Sequence, residues 1–422
     1  MAAQNRNPEQ IRARKESYSG TVLISANGAF MLLVALAPIL QHYKGIVINP
    51  SLAIIIFMAI TAAFKLVTKK VRFGTGFLLL ALYGFYASVI HGINLVYLLR
   101  EITQLVVYLA VINGLFDIKK LLKFSRVIAT LATTLIIVQY ICYYIFGFHL
   151  QLVATSLLDP GNSQWFGLTQ TGLIGVTGTR LAFYRPSAFF LEPSHFAIYC
   201  IPSIVTELFS KNGDTRIARR RALYISLGVL MSTSGMGIGV VIMCWAIYFG
   251  FFYGQHGKVR TVQLKKLLNV RSIAMLLAFV LILVALYVGV PVFRKSVMRI
   301  FVAGGGSSIT AVQGRTLTGR RALGMLTGIR RYIGFGDIYD ISNWNMASFF
   351  FVTFRFGWIG TAIFYSFYIY SFMKLRREAQ LMTLIFLILS FFTVHMFGAY
   401  YKMFYTMIIM NGYLQLEKGK HH

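Results

Sequence analysis

The stretch SLAIIIFMAITAAFKLVTKKVRFGTGFLLLALYGFYASVI, residues 51–90, contains two apolar runs that flank a cationic cluster, Lys65 through Arg72. Each run approaches the roughly 20 apolar residues that an α-helix needs to cross the hydrocarbon core of a bilayer. Clusters of Lys and Arg next to such helices remain on the cytoplasmic side of the membrane. The stretch therefore predicts two transmembrane helices joined by a short cytoplasmic connection.

The same alternation continues along the chain. Of its 422 residues, 57% are hydrophobic and 13% are charged, whereas a soluble domain has about 25% charged residues. We predict an all-α fold, a polytopic integral membrane protein in which residues 1–422 form a single membrane-embedded domain. Residues 1–20 are polar, so no cleavable signal peptide is predicted. About 12 transmembrane helices are predicted, at residues 21–40, 51–68, 73–90, 95–115, 127–147, 190–209, 222–233, 236–253, 272–292, 346–371, 380–397 and 400–415.

The net charge of +29 follows from the predicted topology. With the N-terminus inside, most of the 41 Lys and Arg residues fall in cytoplasmic segments, among them Lys119–Arg126 and Lys211–Arg221. This asymmetry predicts cytoplasmic N- and C-termini and contact with anionic membrane lipid. No nucleic-acid partner is expected.

Two predicted outer-face loops, residues 148–189 and 293–345, are longer than the other connections and rich in arginine. Their basic residues are Arg180, Arg185, Arg294, Lys295, Arg299, Arg315, Arg320, Arg321, Arg330 and Arg331. The planar guanidinium suits bidentate binding of phosphate or carboxylate, so we predict an anion site. The alternative is that these charges are merely solvated. Within the arginine-rich loop, residues 316–332 (TLTGRRALGMLTGIRRY) fit an amphipathic helix.

The stretch FYRPSAFFLEPSHFAIYC, residues 183–200, places one of only 12 acidic residues at the outer end of a predicted span. Glu192 is followed by Pro193, which suits the first turn of a helix. We predict that Glu192 is a catalytic base for a hydroxyl, with His195 as a second candidate. A structural role is the alternative for both: a helix-start carboxylate paired with Arg185, and a packed histidine.

Ionisable residues inside a membrane are costly and suggest function. Arg355 lies about nine residues into a predicted span, on the order of 13 Å from its outer end. His395 and Lys402 are predicted to border the same cavity. The ligand should be anionic and partly apolar, as a lipid-linked diphosphate is. No cofactor or metal is predicted, with Asp337 and Asp340 as the alternative ligands of a divalent ion.

Four stretches, in this order, resemble the Wzy-type polymerase and O-antigen ligase superfamily. They are RPSAFFLEPSHFA (185–197), STSGMGIG (232–239), GRR (319–321) leading to GFG (334–336), and FGWIG (356–360). The second stretch suits either close helix contact or a bend that exposes backbone amides. Ligases of the superfamily typically carry a His-Asn pair where this chain has SNWN (342–345). The chain therefore looks more like the polymerases.

The resemblance implies a glycosyltransferase of the bacterial inner membrane that acts on the outer face. It would polymerise undecaprenyl-diphosphate-linked oligosaccharide repeat units into exopolysaccharide, capsule or O-antigen. The resemblance implies that the diphosphate is held by Arg185, Arg320 and Arg321. We add Arg315, because it lies in the arginine-rich loop, and Arg355, because it lies inside a span. The protein partners implied are a Wzz-like chain-length regulator and a flippase. The alternatives are an O-antigen-ligase-like glycan transferase and a lipid-linked oligosaccharide flippase or anion transporter.

Overall fold

A computed structural model describes residues 26–45, 48–68, 71–90, 95–153, 155–158, 184–210, 215–252, 270–291, 293–294, 297–298, 311–336 and 346–418. These residues are mainly helical, and they contain no β-strand beyond an isolated bridge between Tyr43 and Leu158. The all-α class is confirmed. The helices are α1 (Ala26–Leu40), α2 (Pro50–Val67), α3 (Thr75–Ile90), α4 (Leu95–Ile112), α5 (Ile118–Tyr144), α6 (Pro193–Phe209), α7 (Arg216–Met231), α8 (Gly235–Ile247), α9 (Val270–Gly289), α10 (Ala311–Gly324), α11 (Arg330–Ile333), α12 (Ser348–Lys374), α13 (Arg377–Phe392) and α14 (Ala399–Lys418).

Apolar helices with apolar outer surfaces indicate a membrane protein. Within the described part of the chain, four helices are long and apolar enough to cross a membrane: α2, α5, α8 with its extension to Phe252, and α12. Large apolar side chains lie on the outside of the bundle, such as Phe64 of α2 (73% exposed) and Phe85 of α3 (70% exposed). Such surfaces suit contact with lipid. A helix overlaps each predicted span, but the count of about 12 crossings stays a prediction.

Contacts between residues of different segments show which helix ends lie together at each end of the bundle. At one end, Arg126 of α5 forms an ion pair with Glu207 of α6. At the other end, the amide of Lys44 donates to the carbonyl of Leu157 over 2.8 Å. We call this second end the site end, and His42 and His195 also lie there. At each end, the residues in contact are ones that the predicted order of spans places on the same side of the membrane. Which of the two ends faces the cytoplasm stays a prediction.

Two of the basic clusters predicted to be cytoplasmic lie on helices that begin before the predicted spans at 127–147 and 222–233. Lys119–Arg126 forms the first turns of α5, and Arg216–Arg221 forms the first turns of α7. The side chains of Asp117 and Thr215 cap these helices by accepting backbone hydrogen bonds of 3.2 Å. Such caps fix a helix start, and Lys and Arg are good helix formers, so each helix extends beyond its apolar run.

The predicted amphipathic helix at 316–332 is also wrong as a single element. Helix α10 ends at Gly324, and turns lead to the short α11. Glycine is a poor helix residue, and Gly328 has a positive φ of 52° that a continuing helix would not allow. Leu326 packs against α12, whereas Ile329 is 67% exposed, so the expected apolar face is divided.

Helix α12 is broken, where the sequence predicts one continuous span. Gly357 has φ 65° and ψ −174°, which interrupts the helical hydrogen bonds. The amide of Phe335 donates to the carbonyl of Phe354 over 3.0 Å. The amide of Gly336 donates to the carbonyl of Arg355 over 2.8 Å. The GFG and FGWIG stretches are therefore two halves of one contact, in which the 334–336 segment satisfies carbonyls that the break leaves free.

Replacing Gly357 by Ala is expected to destabilise the protein by at least about 2 kcal/mol, because this backbone conformation is essentially restricted to glycine. A Cβ there would also lie 2.1 Å from the carbonyl oxygen of Tyr332. Gly324→Ala is the matched control, since a Cβ at that position meets nothing within 4 Å. The measurement is thermal unfolding of purified protein in detergent. Equal melting temperatures for the two variants would contradict the described break.

Candidate functional site

Three histidines from distant parts of the chain meet at the site end. His42 follows α1, His195 lies in the first turn of α6, and His395 lies between α13 and α14. The rings of His42 and His195 stack, with centroids 4.5 Å apart and an interplanar angle of 20°. The Nε2 atom of His195 lies 3.3 Å from Nδ1 of His395, within hydrogen-bond distance. Three of the eight histidines in the sequence are therefore connected through contacts between their rings.

Glu192 joins this cluster from the start of α6. The prediction that Pro193 begins the helix is confirmed. The Glu192 carboxylate makes no capping hydrogen bond to the backbone but accepts one of 2.8 Å from the Ser194 hydroxyl. One ligand atom from each of Glu192, His195 and His395 lies within 4.8 Å of the other two. A carboxylate and two imidazoles at this spacing can accept and pass on a proton. The pairing of Glu192 with Arg185 stays a prediction.

Hydrogen bonds from other helices hold the cluster in place. The hydroxyl of Tyr401, on α14, donates to the carbonyl of His195 over 3.1 Å. The amide of His395 donates to the Thr393 hydroxyl over 3.2 Å. The carbonyl of Thr393 in turn accepts from the Ser348 hydroxyl, at the start of α12, over 2.6 Å. Helices α6, α12 and α14 therefore position the two imidazoles, as a preorganised site requires.

His42 is held in the connection between α1 and α2. The side-chain amide of Asn49 donates to the carbonyls of Gln41 and Tyr43, over 2.8 and 3.2 Å. Burial lowers the pKa of His42 from 6.5 to about 2, with His195 acting in the same direction and Glu192 opposing. His42 is therefore neutral at physiological pH and adds no positive charge to the cluster.

The segment that carries Arg185 is fixed by a buried glutamine of α5. The side-chain oxygen of Gln139 accepts a hydrogen bond from the amide of Ala188 over 2.9 Å. Its side-chain nitrogen donates to the carbonyl of Leu150, also over 2.9 Å. Tyr184 is buried next to Arg185, which is itself half-buried. Both ends of the predicted loop 148–189 are thus joined to one side chain on the bundle.

Arg355 is linked to the histidine cluster through aromatic rings. Its guanidinium lies over the ring of Phe351, 4.9 Å from the centroid, as in a cation–π contact. The ring of Phe351 lies 5.1 Å from that of Phe397, two residues beyond His395. These contacts connect the predicted intramembrane arginine to the segment between α13 and α14 that carries His395.

The paired arginines of α10 lie on the surface. Arg320 and Arg321 are both exposed, and the adjacent Gly319 is buried against α12. A Cβ at Gly319 would lie 2.3 Å from the Phe350 ring, so glycine permits this close contact. The structure thus brings Arg320, Arg321 and Arg355 to the first half of α12. The side chain of Arg315, together with Asp337, Asp340 and the SNWN stretch, lies outside the described residues.

The STSGMGIG stretch forms the turn between α7 and α8 (residues 232–234) and the start of α8 (residues 235–239). Thr233 has a positive φ of 56°, and Ser234 caps α8. A Cβ at Gly237 would lie 2.4 Å from the Cβ of Ala197, on α6. Close helix contact, one of the two predicted roles, is therefore observed for Gly237.

A buried ion pair close to the cluster was not predicted as a pair. The Nζ atom of Lys402 lies 3.5 Å from Oε1 of Glu101, and both side chains are at most 5% exposed. The sequence prediction has Lys402 at the cavity border, whereas the structure buries it between α4 and α14. Because Lys402 follows Tyr401, the ion pair fixes the helix turn that also hydrogen bonds to His195.

Replacing Glu101 by Gln is expected to destabilise the protein by about 3–5 kcal/mol, because it leaves the buried Lys402 ammonium uncompensated. Asp117→Asn is the control, since its pair with Lys120 is exposed and Asn also caps a helix. Thermal unfolding in detergent measures both. A Glu101→Gln variant as stable as the control would contradict a tightly buried pair.

Sequence reasoning did not single out His42 and named His395 only as a residue bordering the cavity. The available signal was that His42, His195 and His395 all fall at outer ends of predicted spans. Their contacts depend on helix packing, which the sequence does not give.

No protein-family model and no curated protein matches the chain.

Proposed function

We propose that the protein is a membrane glycosyltransferase that polymerises undecaprenyl-diphosphate-linked oligosaccharide repeat units into a surface polysaccharide. The observation that carries the proposal is the meeting of Glu192, His195 and His395 at the same end of the bundle as the arginines on α10 and α12. A proton acceptor and an anion-binding surface are the two parts that such a transfer needs. The order of the four sequence stretches supports the same activity.

The cluster would act on the acceptor sugar. In the transfer, a hydroxyl oxygen of the acceptor bonds to the anomeric carbon of the donor glycan. The bond between that carbon and the diphosphate oxygen breaks, and the diphosphate leaves with the electron pair. The hydroxyl proton passes to Glu192 or to His195. The Nδ1 atom of His395 is placed to receive a proton from Nε2 of His195.

The arginines would act on the donor. Arg320 and Arg321 are exposed and can reach a diphosphate at the membrane surface. Arg355, Arg185 and Arg315 are proposed to complete the binding of the anionic group. Guanidinium groups stabilise the charge that develops on a leaving diphosphate and do so without a metal.

The proposed location is the bacterial inner membrane, with both termini in the cytoplasm and the site end facing outward. The product would be an exopolysaccharide, a capsule or an O-antigen. A Wzz-like chain-length regulator and a flippase are the proposed protein partners, together with membrane lipid. An O-antigen-ligase-like transferase would differ only in its acceptor.

A lipid-linked oligosaccharide flippase or anion transporter is the second candidate, because α12 is broken. Discontinuous helices are typical of the substrate sites of many transporters. The discriminating experiment reconstitutes the protein in vesicles with labelled lipid-linked repeat units. A glycosyltransferase forms longer glycans without moving the label across the bilayer. Movement of the label with no new glycosidic bond would support the transporter instead.

A further inference from the structure

We propose that Glu192, His195 and His395 form a binding site for a zinc ion. The proposal goes beyond glycosyl transfer, because zinc binding by these side chains does not require that the protein be a polymerase. The three ligand atoms lie within 4.8 Å of one another: two come from the start of α6, and the third comes from the connection between α13 and α14.

The separation of the two facing nitrogen atoms fits zinc coordination, and the rings, whose centroids lie 4.2 Å apart at 70°, would turn apart to direct both nitrogens at one ion. Two zinc–nitrogen bonds of about 2.1 Å at a tetrahedral angle place the nitrogen atoms about 3.4 Å apart. Nε2 of His195 and Nδ1 of His395 are 3.3 Å apart. Without an ion this distance is spanned by a hydrogen bond, and binding of zinc would displace the shared proton. A carboxylate oxygen of Glu192 lies within 4.8 Å of both nitrogen atoms and would move closer to complete the third ligand position.

The ligand types also fit zinc. Two histidines and one glutamate are a ligand set of catalytic zinc sites, in which the fourth position is open to water or substrate. Hard cations such as Mg²⁺ and Ca²⁺ prefer oxygen ligands and are disfavoured by two imidazoles. The cluster therefore selects a borderline transition ion over the abundant alkaline-earth ions.

The surroundings provide contacts to the carboxylate and to the backbone of His195, whereas the buried Nδ1 atom of His195 has no hydrogen-bond partner among the described residues. Ser194 donates a hydrogen bond to the Glu192 carboxylate. Tyr401 holds the backbone of His195, and the His42 ring covers one face of the imidazole. Such partners orient ligands before the ion arrives. His195 is 3% exposed, so the site lies at the edge of a buried region.

The ion would change how the proposed transfer removes a proton. With zinc bound, Glu192, His195 and His395 would hold the ion, and the water at its open position would supply the base for the proton of the acceptor hydroxyl. A bound zinc lowers the pKa of its water to about 7, which makes hydroxide available at neutral pH.

The test measures zinc bound to the purified full chain in detergent, by elemental analysis and by titration calorimetry with zinc chloride. All proteins carry His421→Ala and His422→Ala, so that the terminal histidines do not contribute. About one equivalent is expected. His395→Ala removes a ligand and should weaken zinc binding by more than about 10-fold, which is the smallest loss that removal of a supporting contact typically causes. His149→Ala is the matched control, because His149 packs on Tyr143 and Tyr184 outside the cluster.

The melting temperature of His395→Ala shows whether that variant folds. Glu192→Ala is a second variant in case it does not. It too should weaken zinc binding. Absence of binding in the parent protein would overturn the proposal, as would binding that both cluster variants retain or that His149→Ala loses equally. The readout needs no substrate. A protein that elongates glycans but binds no zinc would overturn this inference alone.

Discussion

The double variant Arg320→Ala and Arg321→Ala is expected to reduce glycan elongation at least about 100-fold, as loss of groups that stabilise developing negative charge does in other enzymes. Both side chains are exposed, so their removal should leave the fold intact. The diphosphate would lose two guanidinium partners, both while it is bound and while it leaves. The loss should therefore appear in the rate at saturating substrate and in the apparent affinity.

The matched control for this variant is Arg220→Ala with Arg221→Ala. These arginines are also adjacent and exposed, but they lie on α7 at the end of the bundle opposite to the site end. The control removes the same net charge and should elongate normally. Chain lengths are compared on gels after reaction with purified lipid-linked repeat units. Normal chain lengths in the Arg320/Arg321 variant would refute diphosphate binding there.

Glu192→Gln is expected to lower turnover by about 10²–10⁴-fold, the usual contribution of a general base. Glutamine keeps the shape of the side chain and can still accept the hydrogen bond from Ser194. It cannot accept a proton at neutral pH and is a weaker metal ligand. The fall should appear mainly in kcat, because the acceptor hydroxyl still has room to bind.

Glu378→Gln is the control for the loss of a carboxylate. Glu378 is also half-buried and lies in the first turn of a helix, α13, away from the histidine cluster. Elongation should be unchanged in this variant. Near-wild-type turnover of Glu192→Gln would assign Glu192 to a structural role at the start of α6.

The helices could be predicted because each apolar run is long and bounded by charge. Helix ends were less accurate, since Asp117 and Thr215 cap helices before the apolar runs begin. The break at Gly357 could not be predicted from its own neighbourhood. It depends on a contact with the 334–336 segment, which is distant in sequence and becomes adjacent only when α12 is packed.

Only those site residues that lie close together in the sequence could be predicted to belong to one site. Glu192 and His195 are close in the chain, and a charged residue at the end of an apolar run is conspicuous. His42 and His395 join them through packing of α1, α6 and α14, which a single sequence does not encode visibly. The pairing of Glu101 with Lys402 was hidden for the same reason.

The most direct test of the glycosyltransferase account is incubation of the purified protein with undecaprenyl-diphosphate-linked repeat units in detergent, with and without added zinc and chelator. Glycan length is read on a gel. We expect a ladder of longer glycans, released together with undecaprenyl diphosphate, that the Arg320/Arg321 and Glu192→Gln variants do not form. Repeat units that stay at their starting length under every metal condition would contradict the account.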